Sequence, residues 1–260
     1  MGICMNSVQV SISVVSHGQI ALVMQCLADL QRYCSPHIAE VLLTINIPEE
    51  LPTTLHQFAF PVRVIRNPNP QGFGANHNQA ASLAQTEFFC VLNPDARFQE
   101  DVFPALLDAL VQDSQLGVVA PRIVNAQNQP EDSARYFPTS WELLGKLLLR
   151  RASRVYPTGE QSIAYPDWVA GMFMLFRLTT FRALGGFDQR YFLYYEDVDF
   201  CARLWLSRHR VGYLPTVSAV HDAQRASHRK LNYLIWHITS VMRFFLSRVF
   251  WVLLLTRRRF

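Results

Sequence analysis

Four short apolar runs, at residues 8–15, 40–47, 62–66 and 88–92, are separated by polar turns and by stretches whose apolar residues recur at helical spacing. This arrangement narrows the possible folds more than any other feature. Runs this short, rich in Val, Ile, Leu and Phe and bounded by Pro, Asn and Gly, read as strands rather than helices. Their near-continuous apolar content means that both faces of the resulting sheet are covered. After the first run, Leu22, Val23, Cys26, Leu27 and Leu30 repeat at three- and four-residue intervals, so residues 20–33 form a helix. Residues 54–58 make a short helical stretch, and the small side chains of residues 72–84 a further helix. Strands alternating with helices in this way predict an α/β, Rossmann-like fold, a mostly parallel central sheet with helices on both faces. Further along, the pattern predicts a helix at 103–111, a strand at 116–120, a polar irregular segment at 122–166 and an apolar strand at 168–176. A short helix at 178–184, a sharp turn at Gly185-Gly186 and a strand at 217–220 follow.

In open α/β sheets, ligands bind beyond the carboxyl ends of the strands. Ser16, His17, Asn46, Asn67, Asn69, Asn93 and Asp95 all follow strands and should share one rim, although each is also an ordinary turn residue. Residues 67–78 place Gly72 and Gly74 at a helix entrance, where backbone can approach closely and free N–H groups suit phosphate. Neither the Walker lysine pattern nor the GxGxxG spacing is present, which excludes P-loop and dinucleotide-binding readings. Asn93-Pro94-Asp95 is either a plain turn or a carboxylate placed to reach a divalent cation bridging two phosphates. His221, followed by Asp222, is either a structural histidine or a member of a metal shell. In residues 191–205, Glu196, Asp197 and Asp199 crowd against Tyr194, Tyr195 and Phe200 at the start of an apolar helical pattern. Acids at a helix start complement the dipole. Acids among aromatic rings and other acids also meet a cation or carry proton chemistry, because burial and like charge both disfavour ionisation.

Half of the 260 residues are apolar and only 17% are charged, far from the composition of disordered chains. One domain over residues 1–224 with a C-terminal appendix at 225–260 is the expected organisation. The net charge of +4 is unevenly spread, since Arg225, Arg229, Lys230, Arg243, Arg248 and Arg257-Arg258-Arg259 all follow Asp222, the last acid. Such a tail suits an anionic surface, and membrane headgroups rather than nucleic acid. Residues 231–255 are apolar and aromatic, but His237, Arg243 and Arg248 interrupt any clean span of about 20 apolar residues. The segment therefore reads as an amphipathic helix, lying in a membrane interface or packing on the catalytic body or a dimer partner. Cys4, Cys26, Cys34, Cys90 and Cys201 show no CxxC pair and read as reduced thiols. The first residues show no basic stretch leading into an apolar core, so the expected location is cytoplasmic.

Taken in order, these pieces resemble the family 2 glycosyltransferases with the GT-A nucleotide-sugar fold, in particular their bacterial rhamnosyltransferase-like branch. The resemblance spans roughly residues 10–221 and rests on Val14-Val15-Ser16-His17, the Gly72–Asn78 element, Leu92-Asn93-Pro94-Asp95, Val169-Ala170-Gly171, Gly185-Gly186-Phe187-Asp188 and residues 192–199. It implies an inverting, metal-dependent transferase moving a sugar from a dTDP- or UDP-sugar, rhamnose among the candidates, to a glycan or lipid-linked acceptor in bacterial surface polysaccharide synthesis. By that resemblance Asp95 matches the metal-holding carboxylate for Mg²⁺ or Mn²⁺, with Asn93 at the preceding acidic position and His221 where some relatives place a third ligand. Asp197 matches the catalytic base, with Glu196 and Asp199 as its supporting or acceptor-binding neighbours. Ser16, Asn46, Gly72, Gly74 and Asn78 match the donor side, and Trp168 and Gly171 the acceptor cleft. Two positions depart from the family pattern: Asn46 stands where an aspartate usually contacts the nucleobase, and Pro70 replaces an asparagine. A nucleotidyltransferase, and a membrane-peripheral glycan-binding or assembly protein with a degenerate site, are the competing functional readings. Contact with the cytoplasmic face of the inner membrane and homodimerisation are the further expectations, with no nucleic-acid partner.

Overall fold

The structure, a computed structural model, describes residues 8–138, 163–221 and 231–257. Strands β1 (Val10–Ser16), β2 (Ile38–Ile45), β3 (Val62–Arg66) and β4 (Phe88–Leu92) stand where the apolar runs predict them and pair in parallel in the order β3-β2-β1-β4. Their burial is near total on both faces along β1 and β4, which is why those runs carry almost no polar alternation. Helix α1 (Ile20–Asp29) widens at its end into a π-turn at Leu30–Cys34, so the single predicted helix reaches residue 34 by a change of winding. Helix α2 (Phe73–Leu83) lies on β1 and β2 through Gly74, Asn76, His77, Ala80 and Ala81. Small side chains allow that close approach, and the Ser13 hydroxyl meets His77 Nδ1 at 2.8 Å beneath the helix. Burial pushes the His77 pKa down to about 3, so the ring is a neutral packing element.

Beyond β4 the sheet departs from expectation. Strand β5 (Ala96–Arg97) follows directly, then α3 (Phe103–Gln112) and β6 (Leu116–Val124). The apolar run at 168–176 is not one strand. It breaks at Gly171 into β8 (Trp168–Val169), paired with β7 (Ala134–Arg135) in a small second sheet, and β9 (Phe173–Arg177), which inserts antiparallel between β4 and β6. Strand β10 (Arg210–His221) then runs parallel to β6 and antiparallel to β5. The result is an eight-stranded sheet, β3-β2-β1-β4-β9-β6-β10-β5, in which six strands share one direction and β9 and β5 run against them, so the expected mostly parallel sheet is present with two antiparallel strands. An apolar run with no turn residue but one glycine carries no sign of where its chain changes sheet. Of the polar segment at 122–166, residues 139–162 lie outside the described residues, and the remainder supplies the end of β6 and β7.

Helix α4 (Leu178–Ala183) and the Gly185-Gly186 turn, both glycines at positive φ, lead to α5 (Glu196–Leu206). The C-terminal segment folds into α6 (Leu231–Leu246) and α7 (Arg248–Arg257), bent 53° to each other. Phe244, Phe250 and Leu253 are buried in the same cluster as Phe176, Phe181, Phe187 and Phe200, so the inner face of these helices belongs to the catalytic core. The boundary expected at residues 224 and 225, and Arg225, Arg229, Lys230, Arg258 and Arg259, fall outside the described residues. Cys26, Cys34, Cys90 and Cys201 are buried free thiols whose pKa values burial raises.

Candidate active site

The parallel strands β1, β2, β3, β4, β6 and β10 all end at one rim, and the polar residues at those ends form two groups. The first is an amide network. Asn46 Oδ1 accepts from Asn67 Nδ2 (2.9 Å) and the Gln71 N–H (2.8 Å), while Asn46 Nδ2 donates to the Gln71 carbonyl (2.9 Å) and His17 Nδ1 (3.1 Å). Asn67 Nδ2 also donates to Asn76 Oδ1 at 2.6 Å, and Asn76 returns hydrogen bonds to the carbonyls of Gln71 and Gly72. All four hydrogen-bonding positions of Asn46 are thus taken by protein groups. At the position where a base contact is expected, Asn46 fixes the loop 67–72.

The other residues expected on the donor side also make protein contacts. Ser16 is fully buried, and its Oγ accepts from the Gln19 N–H at the start of α1. Gly72 is obligatory for a protein contact, because a Cβ there would lie 2.6 Å from the Phe192 carbonyl, which accepts from the Phe73 N–H at 2.8 Å. Gly74 admits Phe187, whose Cβ would be 2.7 Å from an added methyl. Asn78 brackets the backbone of Phe187, donating to its carbonyl (2.7 Å) and accepting from its N–H (2.8 Å). These glycines and amides therefore lock the start of α2 against residues 187–192, the segment that leads to the acids.

The second group surrounds Asp95. Register explains it: β10 pairs with β5 so that His221 faces Ala96, which sets the imidazole beside the neighbouring carboxylate. His221 Nε2 lies 3.3 Å from Asp95 Oδ2, and its Nδ1 lies 3.0 Å from Glu131 Oε2. Burial works against a charged ring here, but the hydrogen bonds and charges of Asp95 and Glu131 outweigh it and raise the His221 pKa. Asp95 Oδ1 is buried without a hydrogen-bond partner. An orphaned carboxylate oxygen beside an imidazole whose far nitrogen is held by a second carboxylate is the donor set of a divalent cation site. No group of three metal-ligating side chains occurs among the described residues, so oxygens of a bound diphosphate would complete such a shell.

The acids of α5 are arranged unequally. Tyr194 and Tyr195 both adopt left-handed φ, 68° and 71°, before the helix begins, a strained conformation for aromatic residues. Glu196 is 4% exposed, packs beside Gly74 and leaves Oε2 without a partner. Burial first, and then the charge of Asp197, holds its pKa well above the usual carboxylate range. Asp197 is half-buried, and burial raises its pKa too, against the hydrogen bonds that Oδ2 accepts from the Gly171 N–H (3.0 Å) and Oδ1 from the Val198 N–H (2.8 Å). Of the two, Asp197 is the acid whose ionised form is supported by hydrogen bonds, whereas Glu196 Oε2 has none. Asp199 is spoken for: it is 2% exposed and pairs at 2.7 Å with Arg203, whose other nitrogens hold the Leu184 and Gly186 carbonyls. It braces the glycine turn instead of facing an acceptor. Trp168 is mostly buried, donates its indole N–H to the Tyr136 carbonyl at 3.0 Å and carries the Arg135 guanidinium over its ring.

A single stretch of backbone joins the metal-type group to the acids. Gly171 donates to Asp197, and the next residue, Met172, accepts at its carbonyl from the Asn93 N–H at 3.0 Å. The break between β8 and β9 therefore sets the Asn93-Pro94-Asp95 turn and Asp197 on either side of residues 171 and 172. Glu131 and Arg135, whose charge favours ionised Asp197, lie in the patternless segment and gave no sequence signal. Arg203 was findable as the i+4 partner of Asp199.

Comparison with known proteins agrees with this geometry. The family model described as glycosyl transferase family 2 matches residues 11–176. The rhamnosyltransferase WbbL of Escherichia coli K12 is 29% identical over 184 residues, which cover 66% of this chain and 69% of that protein. The N-acetylglucosaminyl-diphospho-decaprenol L-rhamnosyltransferase of Mycobacterium tuberculosis is 31% identical over 159 residues, 55% of this chain and 49% of its own, so the chain spans about half the length of that relative. Among solved structures, GalNAc-T7 with UDP, GalNAc and Mn²⁺ superposes with a TM-score of 0.65 at 15% identity, over 84% of this chain and 44% of that one, a likeness of fold alone. With a GT-A fold and a family match over most of its length, this chain belongs to glycosyl transferase family 2.

Proposed function

We propose that this glycosyltransferase moves a sugar, rhamnose being the first candidate, from a dTDP- or UDP-sugar to a hydroxyl of a lipid-linked or growing glycan at the cytoplasmic face of the inner membrane. The observation that carries the reading is the placing of Asp95 with His221, and of Asp197, on the two sides of residues 171 and 172. The E. coli relative is named as a rhamnosyltransferase and the mycobacterial one for a diphospho-decaprenol acceptor, which supports the sugar and the lipid link. Neither a nucleotidyltransferase nor a degenerate binding protein accounts for an ionisable half-buried acid beside a protonated buried one.

In this reading, Asp95 and His221 would hold Mg²⁺ or Mn²⁺, with Glu131 fixing the imidazole. The cation supplies Lewis-acid stabilisation of the departing diphosphate. Asn93 lies on the donor side of the same turn. Asp197, kept basic by its environment yet ionised because Glu196 retains the proton, accepts the proton of the attacking acceptor hydroxyl. Gly171 orients that carboxylate through its N–H, and its lack of a side chain makes room for the Phe73 ring, which would lie 3.2 Å from a Cβ there. Attack opposite the leaving group inverts the anomeric centre in one step, so one essential carboxylate suffices where glycoside hydrolases use two. The test is a panel of nucleotide sugars with Mn²⁺ and a polyprenyl-diphosphate sugar acceptor, with products identified by mass. Transfer from a dTDP- or UDP-sugar that disappears in Asp197→Asn is the expected result; undiminished transfer by that variant would remove Asp197 from the base role.

A further inference from the structure

The inner and outer faces of α6 differ completely in what they meet. Inward, the helix grips the segment that precedes the catalytic acids. Ser240, buried, donates its hydroxyl to the Leu193 carbonyl at 2.9 Å; Trp236 stacks on Phe192 with ring centroids 4.7 Å apart; and His237 lies 5.4 Å from the Tyr194 ring. Phe244 and the Arg243 guanidinium pack on Tyr195 and Tyr191. That segment holds the left-handed Tyr194-Tyr195 pair, whose cost must be met by surrounding contacts, and it abuts Gly72 at the start of α2 through the Phe192 carbonyl. Outward, Leu231 (71% exposed), Leu234, Ile235, Ile238 and Met242 (58% exposed) form one stripe at helical spacing, continued on α7 by Trp251.

Two observations say what covers the stripe. The chain after Asp222 contains basic residues and no acid, so the charges that this segment itself carries are all positive. At its edge, beside Met242 and Leu246, a hollow of about 430 Å³ is lined by Arg190, which is paired with Asp188, and by Arg243 and Ser247, so a phosphate headgroup there would meet Arg243 and the Ser247 hydroxyl. Among the described residues no single helix is long and apolar enough to cross a membrane, and the 53° bend between α6 and α7 suits a pair lying along a surface.

We infer that α6 and α7 dock on an anionic phospholipid bilayer and that docking is linked to the active site, because the helix face opposite the lipid holds residues 191–195 in the conformation that sets Glu196 and Asp197. This rests on the sugar-transfer reading only for its consequence, since the link itself is a property of the fold. A ligand that orders α6 orders the strained segment with it, and coupling of this kind is worth about 5- to 150-fold in affinity.

The experiment measures deuterium uptake of the whole protein with and without vesicles of phosphatidylglycerol and phosphatidylcholine, and with phosphatidylcholine alone, alongside vesicle co-sedimentation. The expected result is binding to the anionic vesicles, with uptake across residues 191–199 slowed about 5-fold or more. Ile235→Asn with Ile238→Asn, both exposed, should abolish binding and slowing together. Ser240→Ala with Trp236→Ala should bind the vesicles but lose the slowing. Vesicle binding by the native protein without any change at residues 191–199 would overturn the link. Absence of binding, or a dimer in which the stripe is protected without lipid, would overturn the docking. Uptake is read without a sugar donor, so failure of the transferase reading would show separately, as slowing without any transfer activity.

Discussion

Glu196 and Asp197 sit side by side on one turn of helix, yet their surroundings separate them. Glu196 has burial and no donor at Oε2; Asp197 has two backbone N–H groups and partial access to solvent. Because the ionised form of Asp197 is the active one and its pKa is raised, kcat should fall as pH drops through that raised value, and Asp197→Asn should lower kcat by about 10²- to 10⁴-fold with little change in nucleotide affinity. Steady-state rates against pH and a nucleotide titration check both halves. The sign for stability runs the other way at Glu196. Its pKa in the folded protein lies above that of the unfolded chain, so the folded state is favoured below the unfolded value and loses that advantage as pH rises through the folded one. Glu196→Gln cannot ionise, and its melting temperature relative to the native protein should climb as pH rises from the ordinary carboxylate range through the raised value; a difference that stays flat would mean that the Glu196 pKa is not raised as its burial implies. At the metal-type group, Glu131 touches only the far side of the imidazole. Glu131→Gln should weaken Mn²⁺-dependent binding of UDP or dTDP about 10- to 100-fold, with metal-free nucleotide binding unaltered in the same titration.

Among the elements, the helix starts decide most. α2 begins against the Phe192 carbonyl and α5 begins behind two strained tyrosines, so the donor-side loop and the acids move as one unit. Gly72→Ala pushes a methyl into backbone that cannot rotate aside, and should cost about 1–3 kcal/mol in urea unfolding while raising the KM for donor. Asp199 and Arg203 show how an acid of the cluster serves the element instead of the chemistry. Their pair ties α5 to the glycine turn, and Arg203→Leu, which strands a buried carboxylate, should cost about 3–5 kcal/mol by urea denaturation. The i+4 spacing made that pair legible from the chain. The reciprocal bracket of Asn78 on Phe187 was not, because 109 positions separate its partners.

For the molecule as a whole, the C-terminal helices are both core and surface. The expectation set a membrane helix against a packed helix; the inner face of the pair is packed, and the exposed stripe on its outer face is where we infer lipid. Ending the chain at residue 230 removes Phe244, Phe250 and Leu253 from the aromatic cluster, so it should lower stability by at least about 5 kcal/mol. Thermal melts would show a large loss for that truncation and almost none for substitutions of the exposed stripe. Equal losses would mean that the stripe is packed.

The chain by itself determined the strand-helix alternation, the four parallel strand ends, the identity of the acids and the one-signed charge of the tail. Each of these is a local pattern: period, turn chemistry and composition act over a few residues and survive without knowledge of neighbours. Tertiary structure alone decided that Asn46 and Asn78 spend their amides on the scaffold, that the run at 168–176 splits between two sheets, and that Asp199 braces while Asp197 remains available. It also brought Glu131 to His221, across 90 positions. Those outcomes depend on which distant groups compete for the same hydrogen bonds and the same buried space, and that competition is settled only when the sheet has closed.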